Sequence, residues 1–306
     1  MTSHDRFLGR EERHLTVIPP VDDAAVTRDR ALIDRLWNID ITRKVTILLA
    51  LGLIWELGVL SSNVSDQVMP TASATLAAFG EGLASGAIQT AAWNSIKTLL
   101  SGYGIGLAVS SVFVSIAVAW RFGTDMLTTL SAMLNPLPAI ALLPLAMIWF
   151  GLGKGAIIFT LLHSIVWPVS LYAMTGIRGI SPTLKMMGRN YGLRGPRFIL
   201  LILLPAAFPT IISGLRIAWA FAWRTLMAAE LVFGGQVSGG GFAGAEAGNS
   251  GGLGWYIFRS QMENQTASVF AGLLAIIVIG IFVENVLLRG VERLTVERWG
   301  MTRSGS

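Results

Sequence analysis

Long apolar runs, parted by short charged or glycine-rich segments, constrain this chain more than any other feature. Six occur, at residues 45–60, 92–120, 126–149, 156–176, 204–233 and 266–288. A bilayer core of about 30 Å takes about 20 residues of helix, so the expected class is all-α: a polytopic membrane protein with six transmembrane helices. Composition agrees. Charged residues make up 13% of the chain and the mean hydropathy is +0.62, whereas a soluble domain carries about 25% charged residues. The run at 45–60 is short and borrows flanking residues.

The positive charge is sorted along the chain. Of 23 lysines and arginines, eight precede residue 45 and five lie within 178–197; Arg121, Arg289, Arg293, Arg298 and Arg303 also follow or precede spans. Lysine and arginine mark the cytoplasmic side of short loops. Both termini are therefore expected in the cytoplasm, with Lys97, Lys154 and Arg259 as exceptions on the outer side. Residues 1–40 read as a cytoplasmic tail. Within it, Leu32, Ile33, Leu36 and Trp37 share one face of an expected amphipathic elbow helix over 27–38. Residues 41–290 read as the membrane domain and 291–306 as a cytoplasmic tail. The first residues lack an apolar core, so no cleaved signal peptide is expected. Sorting by membrane side also argues against nucleic acid as a partner. With no cysteine, disulfide and thiol chemistry are excluded.

Residue types within the runs carry further expectations. Gly102, Gly104 and Gly106 give the second run a small-residue face on which another helix packs closely. Pro136, Pro138 and Pro144 break the third, which lipid tolerates only where protein or a wet cavity surrounds the backbone. Pro168 adds a break in the fourth. Residues 234–254, rich in glycine, read as a flexible outer loop. Val68-Met69-Pro70-Thr71 reads as a turn and helix start, and Glu56 as interfacial.

The polar stretch 178–209 between the fourth and fifth runs holds Arg178, Lys185, Arg189, Arg194 and Arg197, with no Asp or Glu. Ser181-Pro182 is a helix-start signal and Gly192 a helix stop. A short basic helix over 183–191 follows, suited to receiving force from another protein. Gly192, nine residues, then Ile202-Leu203-Leu204-Pro205 resembles the second half of the coupling-loop pattern of binding-protein-dependent ABC importer permeases. Met186-Met187-Gly188 stands where that pattern has Glu-Ala-Ala. Residues 135–153 (NPLPAIALLPLAMIWFGLG), Gly214-Leu215-Arg216, Ala228-Ala229-Glu230 and Gly252-Leu253-Gly254-Trp255 resemble the nitrate/sulfonate/taurine/bicarbonate branch. The resemblance implies the type I importer permease fold in the bacterial inner membrane. It implies a small anion as substrate. It also implies cytoplasmic ATPase subunits, a periplasmic or lipid-anchored binding protein and a second permease subunit, the pair expected to be a homodimer. The coupling loop then comprises Lys185, Met186, Met187, Gly188, Arg189, Gly192, Leu204 and Pro205.

This chain carries no cofactor motif. Gly151-Leu152-Gly153-Lys154-Gly155 lacks the spacing and hydroxyl of a phosphate-binding loop, so ATP and Mg are expected on a separate subunit. His4, His14 and His163 are scattered, which argues against a metal site. Arg216 and Arg224 are the sharpest candidates for a solute path. An arginine near the bilayer centre costs about 2.5–3.5 kcal/mol and faces protein or water. Eight residues apart, they lie within about 80° of each other on a helix. Alternatively Arg216 pairs with backbone carbonyls or a neighbouring chain, and Arg224 snorkels outward or meets Glu230. His163 is read as a helix–helix hydrogen-bonding residue or a path residue. Two other functions stay open: an ion-coupled secondary transporter, which wants carboxylates within spans, and a membrane-embedded hydrolase using His163.

Overall fold

A computed structural model describes residues 40–62, 64–151, 153–237 and 251–292. Among them the regular elements are all helical. The expected elbow helix over 27–38 and the segment 293–306 lie outside the described residues. The chain divides into two units, Met1–Ile54 and Trp55–Ser306, and the boundary falls inside the first helix, α1 (Asp40–Ser61). In the first unit α1 exposes an apolar surface, with Leu48 and Ile54 more than two-thirds exposed. That surface suits lipid.

The second unit contains α2 (Ala72–Ala84), α3 (Ala87–Ala119), α4 (Arg121–Leu134), α5 (Leu143–Phe150), α6 (Lys154–Arg178) and α7 (Pro182–Asn190). It continues with α8 (Gly195–Phe198), α9 (Leu204–Val237), α10 (Leu253–Met262), α11 (Thr266–Phe282) and α12 (Arg289–Glu292). Five helical stretches are long and apolar enough to cross a membrane: Thr42–Ser61, Ala87–Ala119, Lys154–Arg178, Gly195–Val232 and Thr266–Val286. The sixth candidate is not the single span expected over 126–149. It is α4 followed by a 3-10 turn (Ala139–Leu142) and α5, bent by 89°. Pro136 and Pro138 lack the donors a helix would need there. Pro144 instead sits at the start of α5, where a missing N–H is harmless. Pro168 departs from expectation. It lies buried inside a continuous α6.

Helix α6 is the core. In its most apolar window 67% of residues are buried, against 22% for α3, α9 and α11. It packs between α3 and α9, with Leu161, Ile165, Leu99 and Leu226 fully buried. The small-residue face on α3 works as expected at two of its three glycines. A methyl at Gly102 would lie 2.8 Å from Leu161, and one at Gly106 2.7 Å from Ile165, whereas Gly104 faces open space. On the other flank, Gly176 of α6 meets Ala207 and Thr210 of α9. In lipid, such close approach gains dispersion that bulkier residues would forfeit.

Two corrections concern the ends of the spans. Thr71 caps α2, accepting from the Ala74 amide at 3.2 Å, as the turn reading requires. But Glu56 is more than interfacial: its carboxylate accepts from the Ser73 amide at 3.0 Å and hydroxyl at 2.7 Å, tying the first turn of α2. And 234–254 is not uniformly a flexible loop. Helix α9 runs on to Val237, and Gly251 and Gly252 are buried just before α10.

Candidate functional site

A cavity of about 400 Å³ opens among the α4–α5 break, α6 and α9. Asn135 and Pro138 come from the break, His163 and Ser164 from α6, Arg224 and Thr225 from α9. The break is fastened to α6 by His163, whose Nε2 lies 3.1 Å from the Leu137 carbonyl. The Trp167 indole donates to His163 Nδ1 at 3.2 Å. With Nδ1 accepting, the proton of a neutral ring resides on Nε2 and is given to Leu137. Both ring nitrogens are thus engaged, leaving no lone pair for the base that a hydrolase needs. Ser164 and Thr225 bond across α6 and α9 at 2.9 Å. Arg224 is exposed to the cavity and makes no hydrogen bond or ion pair with a described residue. Among the described residues no carboxylate lines this space.

A smaller cleft, of about 120 Å³, is bounded by Arg216, Trp219, Trp223, Arg224, Gly280 and Glu284. The eight-residue spacing therefore does place Arg216 and Arg224 on one wall, and Arg224 borders both spaces. Arg224 does not meet Glu230. Glu230, 4% exposed, is taken up elsewhere. Its Oε2 accepts from Ser95 Oγ at 2.6 Å and from the Gly254 amide at 3.1 Å. Ser95 Oγ in turn accepts from the Leu253 amide at 2.9 Å, and Asn94 donates to the Gly251 carbonyl at 3.1 Å. A side chain at Gly252 would collide with the carboxylate. The start of α10 is thus pinned to α3 and α9. Sequence reasoning saw Ala228-Ala229-Glu230 and Gly252-Leu253-Gly254 as separate pieces and missed that they form one knot. The readable signal was a serine and a glutamate inside apolar helices.

At the N-terminal end of α9 lies the basic loop. Ser181 caps α7, accepting from the Leu184 amide at 3.3 Å. At the other end Gly192, with φ +73°, lets its own amide reach the Arg189 carbonyl at 2.9 Å and that of Leu193 reach Gly188 at 3.1 Å. These are the paired bonds of a Schellman stop. Gly188 is buried, and a methyl there would lie 2.8 Å from Phe198 and 2.9 Å from Ile202. Met186 and Met187 are exposed, as is Arg189. Before Pro205 the helix widens into a π turn (Ile199–Leu203), which accommodates the missing amide and the ring. Leu204 is exposed beside Pro205.

Apolar spans, a cation-bearing cavity between them and a short capped helix on a basic loop define a multi-pass membrane transport component. The model of the family described as "Binding-protein-dependent transport system inner membrane component" matches residues 104–294, more than half of the chain. The chain belongs to that family and is an inner-membrane permease. It is 32% identical over 180 residues to the putative aliphatic sulfonates transport permease SsuC of Escherichia coli, covering 58% of this chain and 68% of the relative. It is 30% identical over 161 residues to the taurine transport system permease TauC of the same organism, covering 53% of each. To the bicarbonate transport system permease CmpB of Synechococcus elongatus it is 26% identical over 197 residues, covering 63% of this chain and 66% of the relative.

Proposed function

We propose that this chain is the translocating subunit of an ATP-driven importer for a small anion of the sulfonate, taurine or bicarbonate type. One observation carries the mechanism: α7 is joined to both helices that bear the cavity residues. It follows α6 through residues 179–181 and rests, at Gly188, on Phe198 and Ile202 at the entry to α9. A push on α7 therefore shifts α6 against α9, and His163 and Ser164 move relative to Arg224 and Thr225. The α4–α5 break follows through the His163–Leu137 bond. This is shear between packed helices amplified at a polar site. ATP and Mg bind a separate subunit that grips Lys185, Met186, Met187 and Arg189. A periplasmic or lipid-anchored binding protein delivers the solute, and a second copy of this chain completes the path.

Arg224, in a cavity with no carboxylate among its described lining residues, supports an anionic solute, with Arg216 as a further cation along α9. The names of the three relatives cited supply the chemical class. The test is uptake of radiolabelled taurine, an alkanesulfonate and bicarbonate into vesicles holding the whole transporter. Arg224→Ala is expected to lower uptake of the accepted solute about tenfold or more, the loss of one charge-assisted contact. Gly188→Leu is expected to abolish ATP-dependent uptake while the chain still inserts. Undiminished uptake in both variants would refute the reading.

A further inference from the structure

We infer that the surface receiving α7 on the ATPase subunit is an apolar groove edged with carboxylates. This rests on the reading above that an ATPase docks at the loop, and it states what that docking face presents.

The inner side of α7 is already used. Leu184 and Gly188 face Phe198, Ile202 and the Ile180–Leu203 cluster of the chain itself. At 100° per residue the opposite side carries Pro182, Met186 and Arg189, flanked by Lys185 and Asn190. Lys185 and Arg189 stand four residues apart, a like-charge spacing that destabilises a helix. Arg189 recovers something from the helix C-terminus; Lys185, in the first turns, is on the wrong end for that. Neither they nor Arg178, Arg194 and Arg197 make a hydrogen bond or ion pair with a described residue, and 178–209 contains no acid. A local rule broken without compensation among the described residues points to compensation from a partner. On this face Met186 is 57% exposed, and Met187, 49% exposed, stands about 100° round the helix from it. Methionine is an adaptable apolar contact, so the complementary face is apolar where it meets Met186 and acidic beside Lys185 and Arg189. A membrane surface explains the charges less well. A helix lying on lipid buries its apolar stripe in the acyl chains, and on α7 the stripe of Leu184 and Gly188 is already packed on Phe198 and Ile202.

The experiment uses the transporter purified through a tag on this chain, with the ATPase subunit quantified by photolabelling with azido-ATP. Raising NaCl from about 50 mM to about 500 mM shortens the screening length from about 14 Å to about 4 Å, and should strip the labelled subunit. Lys185→Glu with Arg189→Glu should cut its retention about tenfold at the lower salt. Met186→Ser should weaken retention without altering the salt dependence. If retention ignores salt and charge reversal while Gly188→Leu abolishes it, the loop docks but the groove is not acidic, and this inference falls alone. If the reversal changes only the phosphatidylglycerol that co-purifies, the occupant is lipid and the inference falls. If the parent complex carries no labelled subunit at any salt, the ATPase reading fails first.

Discussion

Glu230 sits in an apolar bundle with only hydrogen-bond donors around it. Ser95 and the Gly254 amide converge on one carboxylate oxygen, and Ser95 holds the Leu253 amide. Deleting the acceptor leaves buried donors unsatisfied, at about 1–3 kcal/mol for each group. Glu230→Ala is therefore expected to lower the thermal unfolding midpoint in detergent by several degrees, and Ser95→Ala by less. Glu230→Gln, which keeps one acceptor oxygen, should fall between the parent and Glu230→Ala. An unchanged midpoint in all three would show that the knot contributes nothing. The caps at Thr71, Ser181 and Gly192 were legible in sequence because each acts within a few residues. The Glu230–Ser95 bond joins positions 135 apart, and no local pattern pairs them.

The bent pair α4–α5 is the element whose form depends most on a neighbour. Its prolines make the break, but the 89° bend is held where the Leu137 carbonyl meets His163. His163→Ala removes that donor and strands the Trp167 indole N–H. The expected result is faster amide exchange over 137–143 than in the parent, by about fivefold for a net bond of about 1 kcal/mol. Equal exchange in both chains would mean that the bend stands without His163. Three prolines announce a break; its angle, and whether two short helices then make one crossing, depend on what packs around them. Pro168 makes the converse point. The same residue type, buried inside α6, leaves the helix continuous.

At the scale of the whole molecule, the charge sorting carries a prediction about sides. We propose that the loop bearing Arg194 faces the cytoplasm and that the end of α10 faces outward. The parent has no cysteine, so single substitutions report cleanly. In right-side-out vesicles an impermeant maleimide is expected to label Met262→Cys and to leave Arg194→Cys unlabelled until the membrane is opened. The reverse pattern would invert the topology and detach α7 from any cytoplasmic partner. Sequence alone determined the helical class, five of the six spans and, within a residue at each end, the short capped helix it placed at 183–191, because hydropathy, capping and turn chemistry act over one to a few turns. Only tertiary structure decided that α6 is the core, that Arg224 shares a cavity with His163 while Glu230 is spent on α10, and that Gly188 seats α7 on α9. Those are contacts between distant positions, chosen by which helix faces fit closest, and a linear pattern does not encode that choice.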